Sequence, residues 1–362
     1  LEDLLNILVL NPGLRKLAYA MFLGTDRGAV LSGTLVGEFT DETAVQNALA
    51  KILGDTHLTA GAGVEALAVR VAHGGELFDS PVLADDDVLR KLRDLIPTAP
   101  LHVPATIRII EGSRKIFAGL PIVLAFETSF FVHLPERERL YGLDMQTSEN
   151  LNLRRFGFHG IHHQAACAGI ARRRQAGEFE EPPRVLSICL ESRPEVAAVI
   201  GGHPVMVTGG ATPLEGIPGQ TTCGELDPNI VLTLAQRLHW GPEQIDDVLT
   251  RRSGVLALTG KPISLGAVLK SRRRYEPARK VIQYRILLAC GAGIAAMGGL
   301  DAIVFSGQYA EAGRSLGAWL LGKLSRMHGL KGKELSLECF TQSRDCCVAE
   351  IAVAVALTGQ SG

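Results

Sequence analysis

The chain has 362 residues, enough for two domains with sizeable cores. At 46% hydrophobic and 21% charged residues, with a formal net charge of −1, it reads as a globular protein with no call for a nucleic-acid or anionic-membrane partner. Seven cysteines without metal-ligand spacing read as reduced thiols of a cytoplasmic protein, and no apolar run reaches membrane-spanning length. The start at Leu1, without methionine, leads us to expect a few preceding residues, and the basic runs at 172–174 and 272–274 read as solvated helix faces or ends.

Residues 5–10 form an apolar run closed by Asn11, Pro12 and Gly13, which predicts a strand and then a turn. Runs at 17–23 and 29–36 predict two more strands, so the chain opens as an antiparallel meander. Residues 64–71 predict a buried strand, 85–95 and 104–117 helices, and 122–126 another strand. From Gly160 the rhythm repeats. A helix at 162–174 precedes a strand at 185–189, and strands at 196–200 and 205–207, parted by "GGHP", give a second meander. Helices at 228–238 and 279–297, a strand at 302–306 and a helix after Gly313 follow. Two halves with one rhythm predict two related α/β domains with a cleft between them.

Seven segments carry a resemblance, in one order along most of the chain. They are "RVAHGGE" at 70–76, "APLHVPA" at 99–105, "FETSFF" at 126–131, "RRFGFHGIHHQ" at 154–164, "TPLEG" at 212–216, "DPNIV" at 227–231 and "GGLDAIVFSG" at 298–307. Together they resemble the acetate kinase family and its short-chain acyl kinase relatives. The resemblance implies an α/β fold of two related ribonuclease H-like domains, of actin and sugar-kinase type, around a central cleft. It implies a first domain of residues 1–131 completed by about 346–362. The second domain, 132–345, is expected to carry the nucleotide-side loops and a dimer interface.

The implied activity is transfer of a phosphoryl group from ATP, with magnesium, to a short-chain carboxylate. Such a transfer brings anions together, so catalysis is chiefly positioning and charge stabilisation. Arginine forks hold carboxylate and phosphoryl oxygens, and histidines donate to the transferring group. By position in the motifs, the catalytic candidates are Arg70, His102, Glu127 and His159, with Thr222 where the family has a second arginine. Glu127 replaces an aspartate and is one methylene longer. Ala72, Leu101, Phe158 and Pro213 match the apolar acceptor pocket, and alanine at 72, in place of valine, leaves room for a longer acyl tail. Without its motif, each histidine or arginine would read as structural.

Where the family touches nucleotide and metal, this chain departs from it. The family's "HLGNGAS" is "LESRPEV" at 190–196. The glycines are gone, and Glu191 and Glu195 are expected to repel ATP. The first turn keeps Asn11 and Gly13, but Leu14, Arg15, Lys16 and Ala18 replace serines and a lysine. The adenosine loop is reduced to Gly307, Gln308, Tyr309, Ala310, Glu311 and Ala312, and "TNEE" becomes Thr341, Gln342, Ser343 and Arg344. Ser192, Arg193, Gly307 and Glu311 are thus degenerate nucleotide-side positions, and Asn11 and Ser343 are the metal positions. The preferred reading is a family member with impaired or absent phosphotransfer that binds a carboxylate or acyl phosphate, with neither nucleic acid nor membrane as partner. An active acetate or propionate kinase, with Arg193, Arg15 or Lys16 supplying charge, and a structural subunit without ligand stay open.

Overall fold

The computed structural model describes residues 5–24, 26–60, 63–175, 177, 180–271, 273–332 and 334–359; Arg272 of the second basic run lies outside them. The chain divides into two compact units, Leu1–Val132 with Gln342–Gly362, and His133–Thr341.

The first unit is built on strands β1 (Ile7–Gly13), β2 (Lys16–Phe22), β3 (Leu31–Val36), β4 (Ala66–Val71), β5 (Val82–Leu83) and β6 (Ile122–Phe126). Their order is β3-β2-β1-β4-β6-β5. β1 pairs antiparallel with β2 and parallel with β4, and β4 pairs parallel with β6. Alternation along the strands sends Leu8, Leu10, Leu67, Val69, Leu124 and Phe126 to a core shared with the helices Glu42–Ala60 and Val103–Ile116. The intervening Ile7, Val9, Ala66, Ala68, Val123 and Ala125 turn to the other face, against which the C-terminal helix Arg344–Gly359 packs. Covered on both faces, these strands read as unbroken apolar runs. β3, at the edge, alternates between half-buried and exposed residues.

β1 does not stop at Asn11 as the sequence suggests. It runs through Pro12 and Gly13, and the turn is Leu14–Arg15, closed by the pairing of Gly13 with Lys16. Pro12 is tolerated because the pairing of β1 with β4 ends at Leu10, so no ladder on that side needs its missing N–H.

The second unit repeats the plan with β7 (Arg184–Cys189), β8 (Glu195–Ile200), β9 (His203–Val207), β10 (Ala302–Ser306) and β11 (Ser336–Cys339), in the order β11-β10-β7-β8-β9. β7 takes the central place of β1, with an antiparallel meander on one side and parallel strands on the other. The helix Gly160–Gln175 packs on β7 and β10, and the helix Glu276–Met297 packs across β7, β8 and β9. The latter is long and apolar enough to cross a membrane. Its Ile282, Ile286, Cys290 and Ile294 belong to the core of this unit, which accounts for that composition.

Candidate functional site

In the first unit, strand register assembles the site. Leu10 pairs with Val69, so Asn11 follows beside Arg70; Val71 pairs with Phe126, so Glu127 follows at the same end. Ligands of open α/β sheets bind beyond the carboxyl ends of parallel strands. Glu127 is fully buried, and its Oε1 lies 2.6 Å from Arg70 Nε and 3.1 Å from Arg344 Nε. Arg70 Nη1 also approaches Asn11 Oδ1 at 3.5 Å, and Asn11 Nδ2 donates to Asp345 Oδ1 at 3.2 Å. Arg70, Asn11 and Glu127 were marked by the sequence. Arg344 was marked only as a lost acid, and Asp345 not at all, because both enter from the far end of the chain.

Beyond β4, Gly74 N donates to the buried Thr128 Oγ1, and a Cβ on Gly74 would stand 2.7 Å from Phe126 Cδ1, so only glycine fits this turn. The buried His73 has its pKa lowered from 6.5 to about 4, first by burial and then by the charge of His102. His102 is the half-buried residue preceding the helix Val103–Ile116. Ala72 is half-buried and Leu101 is 65% exposed, so neither forms a closed apolar floor within this unit. The unfolded chain takes up a proton on His73 near pH 6.5 while the folded chain resists until about pH 4. Stability of this unit should fall across that window as pH drops, by up to ~3 kcal/mol, and then level off. His73→Gln should flatten this slope in urea titrations followed by circular dichroism. An unchanged slope would place its origin elsewhere.

In the second unit, the turn between β7 and β8 is wired on every side. Glu195, buried at the start of β8, accepts from Phe158 N at 3.1 Å and His159 N at 3.1 Å, and lies 3.3 Å from His163 Nε2. His163 Nδ1 in turn meets the buried Ser187 Oγ at 2.7 Å. Burial pushes the Glu195 pKa up. The hydrogen bond from His163, the charges of His159 and His163, and the N–H of Phe158 outweigh it and hold the carboxyl below its ordinary value. Glu191 accepts from Gln308 N at 3.1 Å and Gln308 Nε2 at 2.7 Å. Each carboxylate is bound by N–H groups of its own unit, the kind of donor a phosphate would otherwise take.

His159 Nε2 lies 2.9 Å from the Arg193 carbonyl; that oxygen only accepts, so the proton is on Nε2. Phe158, His159, Arg193 and Pro213 line one cavity with Glu195 and Glu215, with room of about 10 Å³, no more than a single water. Glu215 is held by Tyr141 OH and Arg155 Nη2, a pairing within the "RRFGF" and "TPLEG" motifs that the sequence did not reveal. Thr222 is buried, and its Oγ1 accepts from Gly219 N at 3.1 Å, closing the loop whose Gln220 N donates to Ser192 O at 2.7 Å. It braces the turn. Ser192 is exposed, and Gly307 (φ +85°) packs so closely that a Cβ would stand 2.8 Å from Leu190 O. Glu311 is exposed, 3.8 Å from Lys270, while Arg15 pairs with Glu38 at the surface of the first unit and Lys16 is exposed.

Magnesium binds oxygen donors that face it, one or two carboxylates with water and phosphate completing the shell. Here Asn11 Oδ1 faces a guanidinium, and Ser343 Oγ accepts from Cys346 N at 3.2 Å as the cap of the C-terminal helix. Among the described residues no three His, Cys, Asp or Glu side chains could hold an ion together. With two arginines on Glu127, the donor set at these positions does not suit a divalent cation.

In fold the chain is similar to acetate kinase from Porphyromonas gingivalis, with a TM-score of 0.82 over 97% of this chain and 100% of that chain, at 23% identity. It is also similar to a propionate kinase from Francisella tularensis, with a TM-score of 0.81 over 97% and 100% of the two chains, at 22% identity. The class is thus the two-unit α/β fold of the actin and sugar-kinase type. Residues 29–358 match the Acetokinase family, and the chain belongs to it. It is 35% identical over 270 residues to acetate kinase of Thermoanaerobacter pseudethanolicus and 34% identical over 254 residues to that of Dictyoglomus thermophilum. These matches cover 72% and 69% of this chain and 66% and 63% of those proteins, slightly under two thirds of their length. Acetate kinase of Dichelobacter nodosus matches at 32% identity over 84% of this chain and 82% of its own length.

Proposed function

We propose that this member of the Acetokinase family binds a short-chain acyl phosphate or carboxylate and does not transfer phosphate from ATP. The observation that carries this reading is the β7–β8 turn. Its two carboxylates engage N–H groups of Gln308, Phe158 and His159, and its Arg193 carbonyl engages the ring of His159. A nucleotide phosphate arriving there would have to displace internal charge-assisted hydrogen bonds, and the residues do not fit it.

Arg70 supports the ligand-binding half of the reading. Its Nε is fixed by Glu127, while Nη2 makes no hydrogen bond among the described residues and is left for an anion. Acyl phosphates are expected to raise the melting temperature of the protein in proportion to the logarithm of their excess. Propionyl and butyryl forms should bind better than acetyl, by up to ~1–3 kcal/mol per methylene, because Ala72 leaves room. Arg70→Ala should abolish the response. Shifts that are absent for all three ligands, or unchanged by the substitution, would leave the structural subunit as the better account.

A working acyl kinase is the second reading, favoured by the retained register of Asn11, Arg70 and Glu127 at the strand ends. We also assign the protein to the cytoplasm, since its seven cysteines form no disulfide among the described residues. A second copy of the chain is proposed to cover the helix Pro228–Leu238, which buries no residue of its own and exposes Ile230, Leu232 and Leu238.

A further inference from the structure

The helices Glu276–Met297 and Gly313–Leu324 of the second unit flank an open cavity of about 600 Å³. It shares no residue with the motifs or with the turn between β7 and β8. Helical spacing builds its walls: Arg279 and Gln283, Lys280 and Tyr284, and Trp319 and Lys323 are pairs four residues apart, so each pair shares a face. The volume falls in the range of roughly 300–1,000 Å³ usual for small-molecule sites.

Gln283 decides what this wall can read. It is 6% exposed and stands beside the core residues Ile282 and Ile286. Its Oε1 accepts from Arg279 Nη1 at 2.9 Å. A guanidinium only donates, so the amide oxygen faces it and Nε2 is the end left to the cavity. Nε2 meets no acceptor among the described residues, and a buried donor gains most from an acceptor that a ligand brings. Trp319 Nε1 likewise has no acceptor among the described residues, and its half-buried ring packs against the core. Tyr284, 56% exposed, adds a second ring. No carboxylate is among the described residues that line the cavity. Glu276 matches Lys280 at 2.9 Å and also acts on Arg279. Lys323, by contrast, is exposed and makes neither ion pair nor hydrogen bond among the described residues.

We infer that this cavity is a binding site for an aromatic carboxylate. The rings of Trp319 and Tyr284 offer flat apolar surface to a flat ligand. Gln283 Nε2 and Trp319 Nε1 are donors, so the ligand has to bring acceptors. One ammonium, that of Lys323, matches a single negative charge better than a dianionic phosphate. A carboxylate on an aromatic ring meets all three conditions. The site shares no residue with Arg70 and its partners, and the inference stands whether or not the acyl phosphate reading does.

The test is calorimetric titration of 2-naphthoate into the full chain, beside its saturated counterpart decahydro-2-naphthoate, which lacks the aromatic ring, and 2-naphthamide, which lacks the charge. 2-Naphthoate should bind with a Kd below about 1 mM, and each control about tenfold more weakly. Lys323→Gln, at an exposed position, should weaken 2-naphthoate about tenfold, the scale of one lost charge-assisted contact, and leave any response to propionyl phosphate as in the wild type. Gln283→Leu, which keeps the bulk and removes the donor, should weaken it by a similar factor, with circular dichroism before titration to show that the variant is folded. Lys323→Gln and the three-ligand comparison decide the matter if it is not. Absence of heat for 2-naphthoate at about 1 mM would overturn the inference. So would equal binding of the three compounds, or a Kd that Lys323→Gln leaves unchanged.

Discussion

Glu127→Ala is expected to destabilise the first unit by about 3–5 kcal/mol, the scale of breaking a buried ion pair from one side. The reason is the pair of arginines. Neither Arg70 nor Arg344 is more than 17% exposed, so removal of the carboxylate leaves two like charges close together in a poorly hydrated place. Glu127→Gln should be milder, because an amide oxygen still accepts from one guanidinium. Both tryptophans, Trp240 and Trp319, lie in the second unit. Tryptophan fluorescence should therefore report an unchanged urea transition while circular dichroism shows an earlier phase from the first unit. Coincident shifts in both signals would mean that the two units unfold together, and a shift in neither would mean that the ion pair contributes nothing.

Glu195→Ala is the counterpart in the second unit, again with about 3–5 kcal/mol expected. The substitution takes the acceptor from Phe158 N and His159 N and leaves the space beside His163 without its anion. Glu195→Gln keeps an acceptor and loses the charge, with an expected cost of ~1–3 kcal/mol at neutral pH. The pH dependence separates charge from shape. Because the folded pKa lies below the ordinary 4.5, the contribution of Glu195 is present above that value and is lost as pH falls through the lowered one. The gap between wild type and Glu195→Gln should therefore close as pH drops below 4.5, read by the urea midpoint of tryptophan fluorescence. A gap that stays constant with pH would show that the carboxylate acts by shape alone.

Much of this architecture is legible in the chain. The meander openings and buried parallel strands announce themselves as apolar runs, and the register that brings Arg70 beside Glu127 is implicit in "RVAHGG" and "FETSFF". What the sequence hides has physical causes. The helices Glu42–Ala60 and Arg344–Gly359 went unread. The second is apolar nearly all round, with Val348, Ala352 and Ala356 buried, and shows no amphipathic stripe. Pro12 reads as punctuation because local sequence cannot tell that the ladder to β4 has already ended. The partners of Glu195 stay hidden in the sequence because Phe158 N and His159 N are backbone groups brought by folding. Arg344 reads as the loss of an acid because its partner Glu127 is distant in the chain.

The central claim is that the chain binds the acyl side of the family's chemistry and not the nucleotide side. Side-by-side calorimetry of the full chain with ATP plus magnesium and with propionyl phosphate tests it most directly. The expected result is heat of binding for propionyl phosphate and none for the nucleotide up to about millimolar concentration, an affinity limit near 4 kcal/mol. Micromolar, magnesium-dependent binding of ATP would contradict it.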